Sequence, residues 1–276
     1  MSKLLVIDKS VFHKSVLHKD FAEQIFEFVQ NHKVVFPHAL IAECLMSENK
    51  SVDLLRRFVE CVKCGGVIGW GSPSIFQHEK QSHNPTVSII NEHETQKARE
   101  SNLCTDEGLL KSEARLCQQH YKPHIDWLRK ISKAFFSNVK TKKLIQRFIG
   151  ESPNNCQLRR LKDYVDAVDT SKSKFLSHFV PYLSQHTELD WFTWHLIRLH
   201  FAWGLEWTCK RVASGVSFER FDISNDFWDI EYVVSLSRAD GLLSADSRLV
   251  RPLAKSAYPE KDVFSCLEEV TEDYRC

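Results

Sequence analysis

Four carboxylates stand where a parallel sheet would gather them: Asp8, Glu43, Asp229 and Asp246. Asp8 ends the apolar run from Leu4 to Ile7. Burying an unpaired charge at the end of a covered strand is costly, so this carboxylate needs a partner, a hydrogen-bond cradle or a metal. Glu43 falls within the first two turns of the helix after a second short strand. Asp229 lies in the first turn of a helix beginning near Asp226, and Asp246 follows a strand at Gly241 to Ser244. In open parallel sheets, sites form outside the carboxyl ends of the strands, where the following helices also start. The four side chains can therefore converge on one rim. There they would repel each other strongly, and a divalent cation removes that penalty. Carboxylate oxygens completed by water suit magnesium or manganese, and such a site activates water and stabilises charge on a phosphodiester. Ser10 and Ser244 each stand two residues from one of these acids, placed to hydrogen-bond a carboxylate or a metal water.

Each acid also has an ordinary role when taken singly. Asp8 can cap the next helix, Asp229 can serve a helix dipole, and Glu43 can be a solvated helix residue. As an ordered set, the metal-site reading outweighs these. Asp226 competes with Asp229 for the third position, but Asp226, or Asn225, makes the better N-cap. Asp240 precedes its strand and belongs to the far end of the sheet.

The elements that must position these residues read as α/β. Lys3 to Ile7 is a parallel-type strand, since a continuous apolar run suits burial on both faces. Val11, Phe12, Val16, Leu17, Phe21, Ile25 and Phe28 recur at helical spacing up to about Gln30. A strand at Val34 to Phe36 stops at Pro37, a helix carries Ala39 to Met46, and a further helix, Val52 to Cys64, ends at Gly65-Gly66 before a possible strand at Val67 to Trp70. This β-α-β-α opening predicts a parallel sheet with right-handed crossovers. The segment 85–215 shows no strand pattern. Helical patterns fill it at Ser88 to Glu100, Thr105 to His120, Pro123 to Ile149, Cys156 to Asp169 and Glu188 to Ser214, with breaks at 151–154 and near Pro181. The α/β pattern returns with a helix at Phe227 to Ser237, the strand at Gly241 to Ser244, a helix at Ser247 to Lys255 and a last strand at Asp262 to Phe264. The expected organisation is an α/β unit built from 1–84 and 216–276 around a helical insertion at 85–215.

The stretches VIDKS at 6–10, VVFPHALIAECLM at 34–46 and DIEYVVSLSRADGLLSADSRL at 229–249 resemble a PIN domain, the fold of many metal-dependent ribonucleases. The resemblance covers roughly the first 75 and last 55 residues. It implies a PIN-like parallel sheet flanked by helices, with Asp8, Glu43, Asp229 and Asp246 as catalytic acids holding Mg2+ or Mn2+ and Ser10 and Ser244 beside them. It implies RNA as substrate more than DNA, hence an endoribonuclease. The alternatives are a catalytically inactive PIN-like module that binds nucleic acid or protein, and a structure-specific DNA nuclease. PIN domains usually have a much shorter middle segment, so substrate and biological role do not transfer. An inhibitory protein partner and a homo-oligomer both stay open.

Charge separates along the chain although the net is only +1. From Tyr121 to Phe175 thirteen Lys or Arg face five Asp or Glu, a local excess of +8, leaving about −7 elsewhere. Arg129, Lys130, Lys133, Lys140, Lys142, Lys143 and Arg147, then Arg159, Arg160 and Lys162, are candidates to track a phosphate backbone. Their ordinary reading is a solvated helix face. Nine cysteines in no regular framework fit reduced thiols in a cytoplasmic protein. No apolar run approaches the roughly 18 residues of a membrane span, and no signal-peptide layout opens the chain. Cys61 and Cys64 with His78 and His83 match zinc-finger spacing, but Cys61 falls on an amphipathic helix, which disfavours zinc. Most of the remaining histidines read as surface or loop residues. Trp191, Trp194, Trp203 and Trp207, on one long helix, read as core. Phosphate-loop, dinucleotide-binding and nucleophile-elbow motifs are missing.

Overall fold

Short apolar runs pair side by side into one parallel sheet: β1 (Leu5–Ile7), β2 (Val34–Phe36), β3 (Val67–Ile68), β4 (Gly241–Leu243) and β5 (Asp262–Phe264), in the order β3-β2-β1-β4-β5. The structure is a computed structural model and describes residues 2–12, 19–46, 52–100, 107–150, 157–181, 183, 189–213, 215 and 226–276. Every residue of β1, β2 and β4 is buried, as expected for strands covered on both faces. The register sets Ile7 level with Leu243. Asp8 donates its N–H to the Leu243 carbonyl at 3.0 Å, and Ser244 donates to Phe264 at 3.1 Å. Asp8 and Ser244 therefore leave the sheet together. The strand order reverses between β1 and β4, the switch point where open α/β sheets place their clefts.

Residues 9–12 are helical, followed by α1 (Lys19–Asn31), α2 (His38–Met46), α3 (Val52–Lys63), α4 (Ser72–Ser82) and α5 (Glu92–Glu100). Helix α3 stops where the two glycines stand. Gly65 adopts φ +133°, and a Cβ on Gly66 would sit 2.4 Å from the Phe36 ring, so the turn and the close approach both require glycine. The α4 helix is not foreseen by the periodicity.

The middle of the chain is helical: α6 (Glu107–Ser137), α7 (Val139–Gly150), α8 (Gln157–Asp169), α9 (Lys172–Phe179) and α10 (Phe192–Ala213). Pro123 was expected to start a helix, yet α6 runs through it, and the break comes at Asn138. The expected breaks at 151–154 lie outside the described residues. Helix α10 is apolar on most sides, with Leu196, Ile197, Phe201 and Leu205 fully or almost fully buried, the pattern of a central helix. It packs against α4, α7, α8, α11 (Phe227–Ser235) and α12 (Val250–Ala257). Helix α6 lies on α2, and α8 lies on α12. One hydrophobic cluster thus joins sheet and helical segment, and 85–215 acts as a wall of the α/β unit.

Glu79 on α4 holds α10 in place. Its fully buried carboxylate accepts the N–H groups of Phe192 at 2.9 Å and Thr193 at 3.0 Å, and that of Thr86 at 3.0 Å. An anion on the first N–H groups of a helix meets both its orphan donors and its dipole.

Candidate metal centre at the carboxyl edge of the sheet

Asp8 is 2% exposed and is oriented from both neighbouring strands. Its Oδ2 accepts the hydroxyl of Ser10 at 2.6 Å and that of Ser244 at 2.5 Å, while Oδ1 accepts the Ser10 N–H at 3.2 Å. The two serine oxygens in turn accept the N–H groups of Ala245 at 2.9 Å and Asp246 at 3.1 Å. Each serine therefore points its proton at Asp8. Burial pushes the Asp8 carboxyl up, the two hydroxyls pull it back, and the charge of Asp246 pushes it up again.

Asp229, in the first turn of α11, makes no hydrogen bond among the described residues. Its carboxyl is raised to about 7, first by burial and then by the charges of Asp8, Glu43, Asp246 and Asp226. The four predicted acids therefore share one electrostatic field, although more than two hundred residues of chain separate the first from the last two. Asp246 Oδ1 accepts the N–H groups of Arg248 at 2.6 Å and Leu249 at 3.2 Å, capping the turn before α12. Glu43, on α2, has both oxygens engaged: Oε1 with Lys9 Nζ at 2.6 Å, Oε2 with the Tyr232 hydroxyl at 3.2 Å. Lys9 is the one cation in ion-pair contact with the four among the described residues. Also among the described residues, no three of His, Cys, Asp or Glu stand as a ready-made metal cage. The acids share a rim without closing on a point.

Asp226 starts α11 but makes no side-chain cap; its Oδ2 accepts Trp203 Nε1 at 2.6 Å. The capping role expected of it is corrected accordingly, because a buried-edge indole N–H competes for the same oxygen. Asn225 lies outside the described residues. Asp240 behaves as expected, accepting the Leu4 N–H at 2.8 Å at the opposite end of the sheet.

Lys9 and Tyr232 were missed as members of this site. Tyr232 could have been found, since it lies three residues after Asp229 and so on the same helix face. Lys9 follows Asp8 directly, but which way it turns is decided by α2. The basic set divides. Arg160 pairs with the fully buried Glu206 at 3.0 Å, Lys162 with Asp166 at 2.7 Å and Arg129 with Asp126 at 2.9 Å. Lys130 and Lys133 on α6, Lys140, Lys142, Lys143 and Arg147 on α7, and Arg159 on α8 are exposed. Arg160 is structural, and the exposed groups on the packed pair α6–α7 keep the charge available.

Cys61 is fully buried within α3, its thiol pushed far up by burial, which agrees with the expectation against zinc. Of the histidines, His78, His83, His93, His120 and His178 are exposed, and His32, His124 and His200 are buried. Burial pushes His38 down to about 4 and His124 and His200 to about 3. Helices covered on several sides leave few positions facing water, and a neutral imidazole is tolerated inside. Trp191 and Trp194 are buried as expected. No described helix is long and apolar enough to cross a membrane.

The chain matches no protein-family model, no curated protein and no solved structure.

Proposed function

We propose that this protein is a metal-dependent nuclease of the PIN-like kind that hydrolyses phosphodiester bonds, with RNA preferred over DNA. One observation carries the reading: burial and the charges of Asp8, Glu43 and Asp246, from distant parts of the chain, raise the Asp229 carboxyl to about 7, and Lys9 is the one cation paired with the four among the described residues. A cluster of acids destabilises the fold that assembles it unless a cation is taken up. The donor set fits a hard divalent ion, since it is all oxygen and carries surplus negative charge. The sheet's switch point between β1 and β4, and the resemblance of 6–10, 34–46 and 229–249 to PIN domains, support the same reading.

Asp8, Glu43, Asp229 and Asp246 would hold magnesium or manganese, which supplies Lewis-acid stabilisation of the phosphate and a water of lowered pKa. The chain's own groups have separable roles. Ser10 and Ser244 fix the Asp8 carboxylate through Oδ2, and the Ser10 N–H holds Oδ1. Asp229, facing the charges of Asp8, Glu43 and Asp246, would serve as one of the carboxylate ligands. Lys9 offers an ammonium to the phosphate when it leaves Glu43. The exposed lysines of α6 and α7 would carry the strand. Products with 5′-phosphate and 3′-hydroxyl ends are expected.

The test is purified protein with labelled single-stranded RNA and with flap DNA, in magnesium, manganese or chelator. Cleavage that needs the metal and disappears in Asp8→Asn supports the reading, and cleavage surviving chelator or that substitution ends it. Preference for flap DNA would instead mark a structure-specific DNA nuclease. The contacts of Glu43 with Lys9 and Tyr232 favour a second reading, a binding module in which the acids are locked structurally. Manganese raising the melting temperature of the wild type no more than that of Asp246→Asn would select this second reading.

A further inference from the structure

A second concave feature lies away from the acids. Between α4 and α6, beside Val180 and Pro181, is a cavity of about 600 Å³, within the range of small-molecule sites. Its wall is aromatic: Phe76 and Trp127 have ring centroids 4.7 Å apart, and His124 lies 5.5 Å from Trp127 in a stacked arrangement and 5.4 Å from Phe76. The rings are tilted to one another, Trp127 by 30° to His124 and by 47° to Phe76, so a flat ring system can stack on one of them, the half-buried Trp127, with the others beside it. Besides His124 the polar groups are Gln77, Lys80, Gln119 and His120. His124 is 5% exposed, and its Nε2 has no hydrogen-bond partner among the described residues.

We propose that this cavity binds one nucleotide of a single strand, with the base stacked on Trp127 in the aromatic wall, its edge read by Gln77 and Gln119, and a phosphate met by Lys80. This deepens the nuclease reading and takes its substrate class from it. Two features favour a nucleotide over another flat molecule. Lys130, three residues after Trp127 on α6, is exposed on the adjoining helix face and continues the positive charge beyond the cavity. The helix that walls the cavity also packs on the start of the helix that carries Asp229: Tyr121 has its ring 5.0 Å from Trp228, and His124 lies 6.4 Å from Phe227.

The test uses the full chain in chelator, where no cleavage occurs. Adenosine 5′-monophosphate, adenosine and ribose 5-phosphate are titrated by calorimetry, with thermal melting as the check on folding. The nucleotide should bind at least tenfold more tightly than ribose 5-phosphate. Trp127→Leu should weaken nucleotide binding about tenfold. Lys80→Glu, an exposed substitution, should weaken the nucleotide at least fivefold and leave adenosine within twofold. Equal affinity for the nucleotide and ribose 5-phosphate, or wild-type binding in both variants, overturns the proposal. Should Trp127→Leu fail to fold, the Lys80→Glu comparison decides alone. Asp8→Asn should bind the nucleotide as the wild type does. Metal-dependent cleavage without nucleotide binding removes the cavity and keeps the nuclease, whereas binding without cleavage does the reverse.

Discussion

Replacing Asp229 with asparagine should make the metal-free protein more stable, which is the opposite of what removing a polar side chain from a partly buried position normally does. The usual Asp carboxyl titrates near 3.8, and here it is raised to about 7 by burial and by four neighbouring acids. At about 1.4 kcal/mol for each tenfold step in proton affinity, that rise corresponds to about 4 kcal/mol when the group is ionised in both states. Partial exposure of the side chain reduces this to roughly 2–3 kcal/mol. The sign follows from proton counting. Between pH 4 and 7 the folded chain keeps a proton that the unfolded chain has lost, so stability falls as pH rises through that window and the loss is complete above pH 7. Asp229→Asn should therefore raise stability by roughly 2–3 kcal/mol at pH 8 in chelator, an increase of about 4–10 °C in melting temperature for a chain of this size. The gain should shrink by more than half at pH 5. Manganese should reverse the order, because at a thousandfold excess over its dissociation constant an ion adds about 4.1 kcal/mol to the state that binds it. The assay is thermal or urea unfolding of both proteins at pH 5 and 8, with and without manganese. A variant less stable than the wild type by a similar amount at every pH would refute the electrostatic account of the rim.

Three further outcomes are expected. Lys9→Met removes the ammonium 2.6 Å from Glu43, so apo stability should fall by about 1 kcal/mol or more while manganese titration gives a larger thermal shift than in the wild type. His200 is fully buried, stacked 5.6 Å from Phe227, with neither ring nitrogen partnered among the described residues and its pKa pushed down to about 3. Below pH 6.5 the unfolded chain takes up a proton that this imidazole refuses, so each unit of acidification costs about 1.4 kcal/mol, and His200→Phe should gain about 1–2 kcal/mol over the wild type at pH 5 in urea melts. Glu79→Ala strips the anion from the start of α10, leaving buried N–H groups of Phe192 and Thr193 without it, and should cost at least 3 kcal/mol; a cost under 1 kcal/mol would mean that the contact is incidental.

The chain's own alternation of apolar runs and helical spacing determined the α/β class, the five strands and the helical middle. Local pattern suffices there, because a strand covered on both faces must be apolar throughout and a helix facing a core must repeat near 3.6 residues. The order of Asp8, Glu43, Asp229 and Asp246 was legible for a related reason, since each follows a strand or opens a helix and parallel sheets send all such positions to one edge. What no local pattern carries is how side chains turn once they arrive. Ser10 and Ser244 both give their protons to Asp8 because β1 and β4 are neighbours. Asp226 goes to Trp203 instead of its helix end, and Lys9 leans back onto Glu43. The burial of His124 and His200 and the aromatic cavity arise from α4, α6 and α10 being pressed together with α11. Each of these depends on groups brought within a few ångströms by pairing across long stretches of chain, and spacing along the sequence does not encode those distances.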